Sequence, residues 1–321
     1  MVQELIYIIL ATVTILASGG CASNPKEPSN GYIKNVFNQK SYTNSIGIEF
    51  VLIPSGSFIM GTSNPSQTCV EPDDKAVAMG EALPCPKVSP KFEEDEEPAH
   101  QVTITKSFYL GKYEVTQEQW YDIMGSNPSK YKGRTNPVES VSWNDVQKFI
   151  EYLNDEEPDI IINGKRYRYS LPTEAQWEYA VRAGTTTSYF FGEDLGKLND
   201  YAWYKGNSEK RTHPVGQKKP IVWHISDAQC EILGTICQNE DLSLYDMYGN
   251  VQEFTLDWYD KHYYAKSPQN DPEGPSGGKY RVTRGGSWGT DTMLVRSACR
   301  NNRTPNERVD FAGFRLALIE E

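Results

Sequence analysis

Histidine is scarce in this chain of 321 residues, with four copies at His100, His213, His224 and His262. Their separation excludes a ligand pair on one helical face, and no HExxH occurs. Basic residues are in deficit, 32 against 43 acidic ones, for a net charge of -11. Phosphate backbones are gripped by a basic face, so nucleic acid is excluded as the main partner. There is no P-loop, no GxGxxG and no GxSxG elbow, which removes the signals for phosphate cradling, dinucleotide binding and a serine hydrolase nucleophile. No cysteine spacing matches a CxxC zinc pattern. Long apolar runs are few and no internal repeat is visible. What the chain does have is 20 Tyr, 7 Trp, 25 Gly and 19 Pro. Polar-tipped aromatics among turn formers read as a loop-rich domain and argue against a regular helical bundle. Hydrophobic residues at 38% and charged residues at 23% are globular composition.

The amino terminus reads differently. Leu5 to Ala17 is an apolar run too short to cross a bilayer and suited to the core of a signal peptide. Small residues follow, and then Cys21, which resembles the lipidated first residue of a mature bacterial lipoprotein. The n-region carries Glu4 and no Lys or Arg, and Ser18 stands where a Leu is usual. An ordinary cleaved signal with Cys21 incidental is the alternative. The polar stretch Ala22 to Asn30 reads as a tether. The expected partition is therefore a signal peptide over 1–20, a tether over 22–41 and one domain over 42–321. The expected location is the cell envelope, lipid-anchored on the periplasmic or surface side. The absence of Asp at position 22 points to the outer membrane. Six cysteines suit an exported chain. Their spacing suggests two local disulfides, Cys69–Cys85 and Cys230–Cys237, with Cys299 left over.

Within the domain, Ile46 to Ile53 and Ser57 to Met60 read as strands around the Pro54-Ser55-Gly56 turn, and His100 to Lys112 as one strand. Thr62 to Pro98 reads as a surface loop with an acidic cluster at Glu93 to Glu97. Helices are expected over 116–124, 142–153 and 173–184. Thr116, Ser142 and Thr173 serve as N-caps, and Gly184 as a stop. Beyond it, turns and short strands are expected, including Lys279 to Arg284 and Gly313 to Leu318. Trp143, Trp177 and Trp203 read as core residues, and Glu174 as a first-turn carboxylate favoured by the helix dipole.

An ordered set of phrases runs through this domain: FVLIPSGSFIMG from Phe50, EVTQEQW from Glu114, PVESVSWND from Pro137, LPTEAQWEYAVRA from Leu171, HPVGQ from His213, LYDMYGNVQEF from Leu244, RGGSW from Arg284 and GFRL from Gly313. Together they resemble the formylglycine-generating enzyme (sulfatase-modifying factor) family. The resemblance spans about residues 45 to 319 and implies an α+β, loop-rich variant of the C-type lectin-like fold. The namesake enzyme oxidises a substrate cysteine with copper and dioxygen, using two cysteines just after the GGS phrase. Here the matching positions are Thr290 and Val295. A hydroxyl and a methyl cannot replace soft thiolates, so copper is not expected. No HxxxHxE iron triad is present either.

The resemblance also implies a calcium site, with Asp246 and Glu253 as side-chain ligands and Gly249 and Val251 as carbonyl donors, a hard oxygen set of the right kind. A second calcium site would lie around Asn199 to Asn207. Ser287 matches a serine of the family's active site, or else is a turn hydroxyl beside Gly285 and Gly286. Ser287, Trp288, Thr290 and Arg300 are the pocket candidates. Arg296, Arg300, Arg303, Arg308 and Arg315 either border a cleft for an acidic or peptide ligand or form buried pairs with Asp291, Glu307 and Asp310. The function expected is an envelope-anchored module that binds a peptide or protein partner. The alternatives are an oxidoreductase acting on a thiol or small group by a cysteine-independent metal route, and a purely structural envelope subunit.

Overall fold

The structure, a computed structural model, describes residues 39–62, 94–223 and 242–321. The signal peptide, Cys21, Cys69, Cys85, Cys230 and Cys237 lie outside the described residues, as does most of the tether. In chain order the elements are β1 (Ser41–Thr43), β2 (Glu49–Ile53), β3 (Gly56–Met60), β4 (His100–Ile104), β5 (Phe108–Gly111), α1 (Gln117–Met124), α2 (Trp143–Glu156), β6 (Ile160–Ile162), β7 (Lys165–Ser170) and α3 (Glu174–Arg182). Shorter pieces follow: α4 (Leu198–Tyr201), β8 (Ala202–Trp203), β9 (Ile221–Trp223), β10 (Leu242–Leu244), β11 (Tyr248–Gly249), β12 (Gln252–Trp258), β13 (Arg281–Arg284), β14 (Asn301–Arg303), β15 (Ala312–Gly313) and β16 (Ala317–Glu320).

The helix starts follow from local chemistry. Thr116, Ser142 and Thr173 each accept the amide three residues on, and Gln119, Asp145 and Gln176 reach back to the cap N–H. Each is a closed capping box, which satisfies two orphan donors at once. The third helix stops one residue earlier than Gly184. Ala183 itself takes the left-handed cap at φ 44°, an uncommon conformation for a residue with a Cβ, and Gly184 follows at φ 85°.

A six-stranded sheet in the order β1-β2-β5-β16-β7-β6 divides the interior. Alternate residues of one strand serve opposite cores. Phe50 and Leu52 of β2 pack with Tyr109, Trp120, Phe149 and Leu318 beneath α1 and α2. Val51 and Ile53 pack with Phe108, Leu110, Trp177 and Val181 on the α3 side. That two-sided burial explains why Phe50 to Ile53 is continuously apolar rather than alternating. On the first face the Phe149 ring stacks on Trp120 at 5.3 Å and meets Phe314 edge-on at 5.5 Å.

Two expected strands are each split. His100 to Lys112 breaks at Thr105, whose amide and hydroxyl both go to the Asp271 carboxylate. With that amide diverted, β4 pairs with β3, and at Thr103 with Asn270, while β5 joins the large sheet. Gly313 to Leu318 likewise divides between two sheets, β15 beside β12 and β16 beside β5 and β7. The supposed surface loop also ends inside the protein. Asp95 is 4% exposed and Glu96 is fully buried.

Replacing Phe149 by Ala is expected to cost about 3–5 kcal/mol, because the ring fills the space between Trp120 and Phe314. Urea denaturation of the two proteins checks this. A loss below about 1 kcal/mol would show that the site collapses around the cavity.

Candidate functional site

The turn after β13 is made possible by Gly285 and Gly286, at φ 86° and 72°. A Cβ on Gly286 would lie 2.4 Å from the Val295 side chain, so the backbone and Val295 pack where only glycine fits. Ser287 is buried, its Oγ 3.0 Å from Thr290 Oγ1, and its amide donates to the same oxygen at 2.9 Å. It is a turn hydroxyl held by Thr290. Val295 has no exposed surface. Cys299, nearby in sequence, is a buried free cysteine whose thiol is pushed up to about 12 by burial, so it stays protonated. Trp288 is half-buried and fixed at both ends. Its amide donates to Asn250 O and its indole N–H to Asp310 O, each at 2.8 Å, while its ring meets Tyr131 edge-on.

Arg300 does not belong in a pocket. It is 1% exposed and donates to both oxygens of Glu174 at 2.7 and 2.8 Å, and to Asp95 O at 2.8 Å. Arg296 forms a two-pronged pair with Glu96 at 2.8 and 2.9 Å. Arg284 pairs with Glu178 and donates to the carbonyls of Ser297, Ala298 and Cys299. Arg182 also binds Glu178. The buried partners are therefore Glu174, Glu178 and Glu96, in place of Asp291 and Asp310, which instead pair with Lys205 and Lys130. Glu307 does meet Arg303, at 3.4 Å on the half-buried surface, and Arg308 reaches Asp145. Glu174 is thus an internal counter-ion more than a dipole residue. The i, i+4 spacing of Glu174 and Glu178 on one helical face, set against an arginine-rich C-terminus, is the sequence signal for it.

The calcium donors divide. Asp246 is buried in a left-handed conformation at φ 56°. Its Oδ2 accepts Gly216 N–H at 2.6 Å, and its Oδ1 has no partner among the described residues. Burial pushes its carboxyl up to about 6. Glu253 is committed elsewhere. It accepts Arg315 Nε at 2.7 Å, Arg315 Nη2 at 2.6 Å and the Trp177 indole N–H at 2.6 Å. Gly249 cannot carry a Cβ, which would lie 2.1 Å from Trp203 O. The Val251 amide and the Asn250 side chain both donate to buried Glu114, whose carboxyl is held well above its ordinary value by burial and by Asp246 and Glu253. Among the described residues no group of three or more His, Cys, Asp or Glu converges as a metal set. A calcium ion needs six to eight oxygens, and Glu253 is turned to Arg315, so the expected donor set does not fit as assembled. At the second expected site, Asn199 accepts from Tyr204 OH and from the Asn207 amide, which spends that oxygen internally.

Of the tryptophans read as core, Trp177 is fully buried. Trp203 is half-buried and stacks on His213 at 3.8 Å, with Lys218 Nζ 3.9 Å from its ring centre. Trp143 and Trp258 sandwich the Arg281 guanidinium at 3.7 and 3.5 Å.

Two outcomes follow from these contacts. Asp257 is pushed up from 3.8 to about 8, first by burial and then by Glu174. The folded state then holds a proton that the unfolded chain releases near pH 4. Stability is expected to fall from about pH 5 to pH 8, by at most about 1.4 kcal/mol per unit from this group, and Asp257→Asn should flatten that part of the slope. Parallel urea-midpoint profiles for the two proteins would refute it. The melting temperature is also expected to be the same in calcium and in chelator. A site filled at a hundredfold over Kd would add about 2.7 kcal/mol, hence a rise of several degrees. Such a rise, lost in Asp246→Ala, would return Asp246 to a ligand role.

Comparison with known proteins places this arrangement. Residues 37–319 match the sulfatase-modifying factor enzyme 1-like domain. The chaperone protein LppX of Paenibacillus barcinonensis is 32% identical over 267 residues, 74% of this chain and 86% of that protein. The formylglycine-generating enzyme of Streptomyces coelicolor is 32% identical over 219 residues, 62% of this chain, and the match spans only 60% of that enzyme. Among solved structures, Treponema denticola variable protein 1 superposes with a TM-score of 0.63 at 27% identity, over 87% of this chain and 98% of that one. The loop-rich α+β arrangement is the fold of this group, and the chain belongs to the sulfatase-modifying factor enzyme 1-like family.

Proposed function

We propose that the protein is an envelope-anchored accessory module of this family that binds a peptide or protein and does not generate formylglycine. The observation that carries the reading is the packing after Gly285-Gly286-Ser287. Thr290 is spent on Ser287, Val295 fills the space beside Gly286, and Cys299 is buried as a protonated thiol. A pair of accessible thiolates cannot be drawn from these groups. The similarity to a protein named a chaperone supports a role exerted on other polypeptides. Anchoring at the envelope rests on the apolar run before Cys21. Among the described residues no helix is long and apolar enough to cross a membrane.

The test is elemental analysis of residues 22–321, with Cys21 omitted and the protein purified from an oxidising compartment, together with oxygen uptake on a cysteine-containing peptide. Neither copper nor iron is expected near one per chain, and no peptide-dependent oxygen consumption. Stoichiometric copper or iron with oxygen uptake would overturn the reading in favour of an oxidoreductase.

A further inference from the structure

A cavity of about 270 Å³ opens where β5 begins and where β7 and β16 end, beside the start of α3. Ile104, Phe108, Leu171, Leu256 and Ile319 give it apolar walls. Its charged rim differs in how each group is paired. Asp271 is spent, with both oxygens on Thr105. Glu320 is held by Lys165 at 2.8 Å. Lys106 reaches Glu320 only at 4.0 Å and is 65% exposed. Arg168 makes no ion pair or side-chain hydrogen bond among the described residues. It lies between Tyr167 and Tyr169, whose rings serve the core beneath α1 and α2, so strand alternation turns it to the opposite face, opposite Ile319 of β16. Gln176 spends its oxygen on the Thr173 amide, which leaves its NH₂ as a donor at the cavity. Two cations, Lys106 and Arg168, thus line the cavity with three carboxylates, Asp271, Glu273 and Glu320, and Arg168 is the cation among them that has no carboxylate partner among the described residues.

Apolar walls with an unpaired guanidinium at the mouth match an apolar group that ends in a carboxylate. The guanidinium fork suits a planar carboxylate in two-pronged contact. The volume falls below the roughly 300–1,000 Å³ of a drug-sized site, which limits the occupant to about one residue. We infer that the cavity receives the carboxy-terminal residue of a partner polypeptide, its apolar side chain against the Phe108 and Ile319 walls and its free carboxylate on Arg168. The inference rests on the peptide-binding reading above and gives it a site and a ligand chemistry.

Fluorescence polarisation of residues 22–321 with a labelled Gly-Ser-Gly-Leu peptide tests it, as the free acid and as the C-terminal amide. Saturable binding of the acid is expected, with the amide about tenfold weaker. Arg168→Ala, at an exposed position that leaves the fold intact, should weaken the acid about tenfold and leave the amide unchanged. Ile319→Glu places a carboxylate in the cavity wall and should weaken both peptides. Equal affinity for acid and amide, or an Arg168→Ala effect equal on both, would overturn the inference. Saturable binding insensitive to amidation and to both substitutions would overturn this site while leaving peptide binding elsewhere standing. No binding of either peptide would overturn the site as well, and capture of a partner by the same domain would then decide the broader reading separately.

Discussion

Buried guanidinium groups matched by carboxylates hold this domain together. Arg284, Arg300 and Arg315 are among its largest fully buried side chains. Removing such charges from water costs several kcal/mol each, which partners and hydrogen bonds must offset; among the described residues Arg284 Nε has no hydrogen-bond partner and lies 3.7 Å from the Glu174 carboxylate. Each arginine here also does what a β-ladder does elsewhere. Arg284 satisfies three consecutive carbonyls from Ser297 to Cys299, Arg315 those of Gly111 and Tyr245, and Arg182 that of Gly61. A loop-rich chain leaves many backbone acceptors without a strand neighbour, and five fixed donors on one side chain answer that need.

The lattice also decides what the candidate sites can be. Glu174 and Glu178 lie one turn apart on α3 and present their carboxylates to Arg182 of the same helix and to Arg284 and Arg300 from the C-terminal third of the chain. Asp95 and Glu96 enter the same region from the end of a long polar segment and so belong to the interior rather than to an acidic surface patch. The same logic governs the GNVQEF turn. Arg315 already supplies a cation to Glu253, and the surplus negative charge there falls on Glu114 and Asp246, whose carboxyl groups are shifted upward. Asp246 Oδ1 stays without a partner among the described residues, so the turn carries an open acceptor although its glutamate is spent.

What could be read in the sequence was what is local in the chain. The capping boxes at Thr116, Ser142 and Thr173 need only three residues each, and the three helices lie where they place them. The turn hydroxyl of Ser287 is equally local, tied to Thr290. What escaped is long-range. The strand from His100 breaks because of Asp271, 166 residues away from Thr105, and nothing near Thr105 signals it. Arg300 finds Glu174 across 126 positions and Arg296 finds Glu96 across 200. Composition showed that arginines and carboxylates were both present, but only the folded topology matched them. The cavity beside Arg168 escaped for the same reason, since its walls come from strand ends and turns scattered between Ile104 and Glu320.

These two scales bear on how the family's scaffold tolerates a change of chemistry. The stabilising lattice runs through α3, β12, β13 and the C-terminal segment, and none of its ion pairs uses Thr290 or Val295. The turn at Gly285-Gly286 is fixed by backbone conformation and by close packing against Val295, which asks of that position only an apolar side chain of suitable size. A thiol could be exchanged there for a branched methyl group without disturbing a charged contact, and a buried methyl packs against glycine without the reactivity a thiolate brings. Chemistry at the turn and stability in the lattice are therefore separable in this fold.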